Sequence, residues 1–228
     1  MSGYQITIQM SDATVDGLQG DGYQLYAFKA VEGSGGGVPV VWFSSSTFSQ
    51  STVVSWTEAY QAYTAQAMQL GSNVTISTLA SYPIELGEQL NVTNPEGTGV
   101  VVSGGPDPQA IAVLNQTANP PTPGTPMTCG ISQQQGDGSY QPLCAFPLTG
   151  VGLDLIVPIE KVFLMFATLP VNTGTVIEKS YGPGVLVDLT SANQQSVAYD
   201  IDAGWTPQPW AAVYPATTAL VPLLISPS

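Results

Sequence analysis

Two tryptophans and two aspartates near the C-terminus are the side chains best suited to grip a ligand. Trp205 and Trp210 flank the segment Thr-Pro-Gln-Pro, whose prolines forbid a helix or a central strand, so both rings are expected on a loop. Neutral sugars lay their C–H faces on such rings and bond their hydroxyls to amides and carboxylates. Asp200 and Asp202 lie just upstream, and two residues apart on a strand they would share a face. That pair, with Glu58 at a comparable place in the first half, has the residue types to ligate a metal or to flank a glycosidic bond. A solvated strand end running into a turn at Gly204 is the plainer account of the same residues.

Two further groups have chemical potential. Ser11 to Gly22 carries Asp12, Asp16 and Asp21 among glycines, read as an oxygen-rich loop of the kind that holds calcium, a hard cation preferring carboxylate and carbonyl ligands. The spacing is not that of an EF-hand, and aspartate is also a turn residue. Cys129 and Cys144 bracket Gly136-Asp137-Gly138, a strong hairpin signal. A two-residue loop at Gly136-Asp137 sets the cysteines directly opposite each other, compatible with a disulfide. A loop at Asp137-Gly138 slips the register and parts them. Neither has a neighbouring cation or a Cys-x-x-Cys partner, so a structural staple or two buried thiols is expected rather than a reactive thiol. Asn73, Asn91 and Asn115 each fit the N-glycosylation acceptor pattern, a frequent coincidence in a threonine-rich chain.

What is missing narrows the chemistry further. The 228 residues include no histidine and no arginine, only Lys29, Lys161 and Lys179, and a net charge of −13. Imidazole relays and imidazole-bound metals are therefore excluded. Tight binding of nucleic acid needs several cations on one face, and adhesion to anionic membranes needs them too; neither is expected. Carboxylate-only enzymes remain conceivable, but a non-catalytic role is the better reading. With 8% of residues charged, about a third of the usual share, the surface must consist mainly of hydroxyls and amides.

The elements that position these residues read as strands. Tyr4 to Met10 and Tyr23 to Val31 alternate with period two, as half-buried strands must. Val38–Phe43, Thr52–Trp56, Asn73–Leu79, Gly99–Ser103, Ala110–Asn115, Lys161–Thr168, Thr173–Lys179, Val185–Leu189 and Ser196–Ile201 are further candidates, separated by Gly, Pro, Asn and Ser clusters. One stretch is ambiguous. Ser55 and Glu58 have capping-box spacing, and Trp56, Tyr60, Tyr63, Ala67 and Leu70 fall on one helical face; the strand alternative continues from Val54 through Trp56. An apolar stretch from Val151 to Val171 is broken by Asp154, Glu160, Lys161 and two prolines, which argues against a spanning helix. The apolar tail from Trp210 to Ile225 reads as a buried terminal strand.

The fold class is therefore all-β, an antiparallel sandwich with little helix. A proline-rich segment, 116–126, divides the chain into β-rich stretches 1–115 and 127–228 that share a faint pattern of strands. This suggests two pseudo-repeated halves, packed together or merged in one compact unit. Met1 to Ile8 has neither the basic region nor the apolar run of a signal peptide, so the expected location is cytoplasmic, or outside the cell without a cleaved signal. The function expected is lectin-like recognition of neutral carbohydrate at Trp205, Trp210, Asp200 and Asp202. The alternatives are a structural, storage or self-assembling protein whose partners are copies of itself, and a pore-forming protein with exposed aromatics.

Overall fold

The computed structural model describes residues 3–66, 70–117 and 127–227. The proline-rich segment lies outside them from Ala118 to Pro126, as does Ala67. In chain order the first elements are β1 (Gly3–Gln9), helix α1 (Asp12–Gly20), β2 (Gln24–Gly33), β3 (Val38–Pro39), β4 (Phe43–Ser45) and β5 (Ser51–Gln66). Then come β6 (Thr78–Ile84), β7 (Glu88–Val92), β8 (Gly99–Ser103), β9 (Ile111–Asn115), β10 (Met127–Gln135), β11 (Tyr140–Pro142) and β12 (Cys144–Leu148). The last are β13 (Leu153–Ala167), β14 (Gly184–Asp188), β15 (Gln194–Asp200), β16 (Gly204–Trp205), β17 (Ala211–Tyr214), helix α2 (Val221–Leu224) and β18 (Ile225–Pro227).

These strands form two sheets packed face to face. One runs β16-β15-β1-β5-β10-β12-β3, with β6 on β5 and β11 on β10; the other runs β17-β14-β13-β9-β7-β8, with β2 joining β13 to β4 and β18. The all-β class is as the sequence indicates, but the sheets are mixed. β1 pairs with β15, β7 with β9, and β18 with β2, all in parallel. Neither sequence half keeps a sheet to itself. Leu25–Phe28 and Phe163–Phe166, the most similar segments of the two, are partners in one sheet, with Phe28 opposite Phe163 and Leu25 opposite Phe166.

Period-two alternation decides what is buried. Ile6 and Ile8 of β1, Val54 and Trp56 of β5, and Leu25, Ala27 and Val31 of β2 fill the space between the sheets. The opposite face of β2 contributes Tyr26, Phe28 and Ala30 to a second cluster under α2. Among the described residues of 51–66 no helix forms: β5 is one long strand. It pairs with β1 over Ser51–Thr57, with β10 beyond Trp56, and with β6 from Tyr60 on. Those non-local ladders outweigh a local capping signal, and Glu58 accepts a hydrogen bond from Tyr4 instead of closing a box.

Three expected strands change. Val38–Phe43 splits into β3 and β4. Asn73–Leu79 gives way to β6, and Thr173–Lys179 contributes only isolated bridges through Thr175, Val176 and Lys179. The tail is not one strand but β17, α2 and β18, because Pro215 and Pro222 interrupt it. No helix among the described residues is long and apolar enough to cross a membrane.

Candidate functional site

Both sheets break their regular pairing at the same place. Along β13, Ile159 faces Ala30 and Val162 faces Lys29 of β2, so Glu160 and Lys161 are two extra residues on β13. Along β5, Tyr60 faces Gln133 and Trp56 faces Gln135 of β10, so β5 also gains two residues, around Glu58. Bulges of this kind re-aim side chains. Glu58 stands on the same row as Val54, Trp56, Tyr60 and Ala62, all buried, yet is itself exposed. Among the described residues β1 pairs with β5 only as far as Thr57, and β6 begins to cover it at Tyr60. The sandwich opens here.

Inside the opening sits a buried charge pair. Lys29 continues the core-facing row of Leu25, Ala27 and Val31, and is 0% exposed. Its Nζ lies 2.6 Å from Glu160 Oε2, which also accepts from Trp56 Nε1 at 2.9 Å. The Nζ rests 4.4 Å from the Trp56 ring centroid and 5.7 Å from that of Trp42, within the range of cation–π attraction. Trp42 meets Trp56 edge-on, and Tyr4 stacks on the far face of the cluster against Trp56 at 5.6 Å. Burial pushes the Lys29 ammonium down from its ordinary pKa, while the Glu160 charge and hydrogen bond, and more weakly Glu58, hold it up. The Trp42 Nε1 and Gln133 Oε1 atoms are buried without hydrogen-bond partners.

Outside the pair the field is acidic. Tyr4 donates to Glu58 Oε1 at 3.0 Å, and its pKa is pushed up to about 12 by burial, by that bond and by the charges of Glu160 and Glu58. Tyr60 is raised by burial and by the same carboxylates. Gln133 Nε2 bonds to Tyr60 Oη at 3.3 Å and to the Thr57 carbonyl, fixing the bulge. Beyond Tyr60 opens a cleft of about 730 Å³, walled by Glu58, Tyr60, Tyr140, Leu86, Glu85 and Glu88 among others. Glu88 accepts from the Glu85 amide, and Leu86 is 46% exposed.

The residues singled out from the sequence lie elsewhere. Trp205 is not on a sugar platform: it is 5% exposed, stacks on Phe166 at 5.5 Å and donates to the Pro183 carbonyl. Trp210 is half-buried against the same core and donates to the Ser196 carbonyl. The prolines between them do form an irregular link, but it folds the rings inward. Asp200 ends β15 and accepts from the amides of Asp202 and Ala203 and from the Thr14 hydroxyl. Asp202 stands in that turn, so the two carboxylates do not share a strand face.

Calcium finds no loop either. Ser11 caps a helix by accepting from the Thr14 amide, which spreads the aspartates along its axis. Asp12 is in the first turn and binds Gln50. Asp21 is at the C-cap, nine residues on, about 13 Å along the axis. Among the described residues no three His, Cys, Asp or Glu side chains are grouped to hold a metal. Cys129 and Cys144 are free and buried. The hairpin turns through Gly136, Asp137 and Gly138 (the last with φ 87°), and Gln135 bonds to Ser139 across it. The turn register, Gln134 opposite Tyr140, slips by one more residue between β11 and β12 and puts Cys129 opposite Phe146, so the cysteines are diagonal rather than facing, too far for a bond at about 7–8 Å. Burial raises both thiols, Cys144 to about 12. Asn115 is 0% exposed and donates to the Thr149 carbonyl, which removes it as a glycan acceptor.

The opening was legible in one respect. A lysine on the row Leu25-Ala27-Lys29-Val31 is a charge where alternation demands an apolar residue. Its partner was not legible, because the bulge that delivers Glu160 exists only once β13 meets β2. Comparison of the chain with protein-family models, with curated proteins and with solved structures returns no match.

Proposed function

We propose that this protein is a non-catalytic, lectin-like binding module that takes a neutral carbohydrate at the opening between the two bulges, with Glu58, Tyr60 and Tyr140 as its contacts. The observation that carries this reading is the exposed Glu58 on an otherwise buried row, facing a cleft that combines tyrosine rings, the Leu86 side chain and carboxylate acceptors. Ring faces suit the C–H surface of a sugar, and carboxylates accept its hydroxyl protons; the acidic walls turn away phosphates and nucleic acid. Trp56, buried two residues before Glu58 on the same row of β5, serves as the reporter. Titration of a panel of neutral saccharides against intrinsic fluorescence tests the reading. Binding that falls at least tenfold in Glu58→Gln and Tyr140→Ala supports it; no response to any saccharide, or unchanged binding by both variants, overturns it.

A second reading, self-association, is favoured by β8. This strand ends its sheet, carries no charge, and leaves Val100 and Val102 at 56% and 38% exposure. Unblunted edges of this kind pair with other chains, against which the net charge of −13 acts at low salt. Light scattering across ionic strength is the test: mass that rises with salt in the parent, but not in Val101→Pro, supports assembly through β8, and a monomer throughout refutes it.

A further inference from the structure

The Lys29–Glu160 contact has a further consequence. We propose that these two side chains are joined by an amide bond that the fold itself makes, cross-linking β2 to β13 inside the sandwich. Four observations support this independently of the saccharide reading. The reacting groups lie on neighbouring strands and are in contact, Nζ 2.6 Å from Oε2. Lys29 is sealed from water at 0% exposure between the Trp42 and Trp56 rings. Glu160 keeps 13% exposure, which leaves a way out for a small product. The Trp56 Nε1 proton, 2.9 Å from Oε2, points at the oxygen on which charge develops when a carboxyl carbon is attacked.

The step balances without any co-reactant. Two of the three protons of the ammonium pass to Glu160 Oε1, the freed electron pair of Nζ attacks Cδ, and the Cδ–Oε1 bond breaks. Oε1 leaves as water, one proton stays on the new amide nitrogen, and Oε2 remains as the carbonyl held by Trp56. In open water this condensation runs backwards. Here fixed neighbours replace an encounter in solution, an advantage that reaches effective molarities on the order of 10⁵–10⁸ M. The product is also neutral, so the desolvation cost of a buried ion pair disappears. Burial lowers the Lys29 pKa and thereby helps the nitrogen release its proton.

The sequence supplies an unusually clear assay. Lys29, Lys161 and Lys179 are the only basic residues, so trypsin has three cutting sites in the unfolded chain. The protein is purified folded, its intact mass is measured, and it is then unfolded in urea and digested. A cross-linked Lys29 resists trypsin. The expected result is an intact mass lighter by one water, a fragment 1–161 carrying that same deficit, and no fragment 1–29. Tandem fragmentation then places the branch between Lys29 and Glu160. In Lys29→Met the mass deficit is lost. Release of fragment 1–29 from the parent at its full mass overturns the proposal. So does a deficit of one water that coexists with cleavage at Lys29, since that locates the dehydration elsewhere.

Discussion

Two aromatic clusters lie along β2, and they do opposite things. Around Leu25, Phe166, Tyr199, Trp205 and Phe48 pack ring on ring, with Phe166 stacked on Trp205 and edge-on to Phe48. No ion pair enters that cluster among the described residues. Four residues further along β2, about 13 Å away, Trp42, Trp56 and Tyr4 pack around the charged Lys29 and Glu160. Tryptophan content does not separate the two clusters. A pair of bulges does, by admitting carboxylates to a row that is otherwise apolar, so the first cluster is rings alone and the second lies beside the cleft at which we propose binding.

Glu160→Ala should break the charged cluster most severely. Whether the parent holds the proposed amide or the ion pair, the variant leaves the Lys29 ammonium buried and unpaired, at a cost of about 3–5 kcal/mol, read as a drop in the urea midpoint; a loss below about 1 kcal/mol, within the range of exposed pairs, would mean that the site is effectively solvated. Trp205→Ala should cost about 3 kcal/mol through the cavity it leaves, yet leave saccharide titration unchanged. If binding fails while the variant remains folded, the division between the clusters is wrong. Trp56→Phe keeps a ring but deletes the donor to Glu160 Oε2, a loss of about 1 kcal/mol where that oxygen is the carbonyl of the proposed amide and roughly 2 kcal/mol where it is a carboxylate.

The smallest effects concern two aspartates away from the opening. Asp154 is raised above its ordinary pKa by burial, against hydrogen bonds from Ser34 and Cys129. A raised folded pKa means that its contribution is fully present below the unfolded value and is lost as pH rises through the folded one. Asp154→Asn should therefore raise the melting temperature at pH 7 and leave it unchanged near pH 3. Asp200 is the opposite case, held low by the Ala203 and Asp202 amides. Its contribution is present above the unfolded pKa and fades as pH falls through the folded one, so Asp200→Asn should flatten the acid limb of a stability–pH curve.

The fold was legible where strand-forming residues run between clear turn signals. β1, β2, β8 and β9 were readable within two residues; β1 shows one face to the core, while β2, β8 and β9 were marked by their runs of β-branched and aromatic residues between turn residues. Helix α1 was missed although its signals are present: Ser11 as cap, Asp12 in the first turn, and Thr14 with Leu18 one turn apart and buried. Three aspartates and several glycines read more strongly as a loop. The long β5 and the site beside it were only partly legible, since register and bulges are properties of partners remote in sequence. Trp205 misled for a related reason. Flanking prolines report the path of the backbone but not where a ring points.

The interleaving of early and late strands also dictates when this chain can finish folding. β1 needs β15 beside it, and β2 needs both β13 and β18. On the ribosome, the first hundred residues would therefore emerge able to pair β1 with β5, β5 with β6 and β7 with β8, but with the other edges of β1 and β2 open until β13, β15 and finally Ile225–Pro227 clear the exit tunnel. Such late closure predicts slow maturation and a nascent state prone to aggregation, one that relies on chaperone shelter.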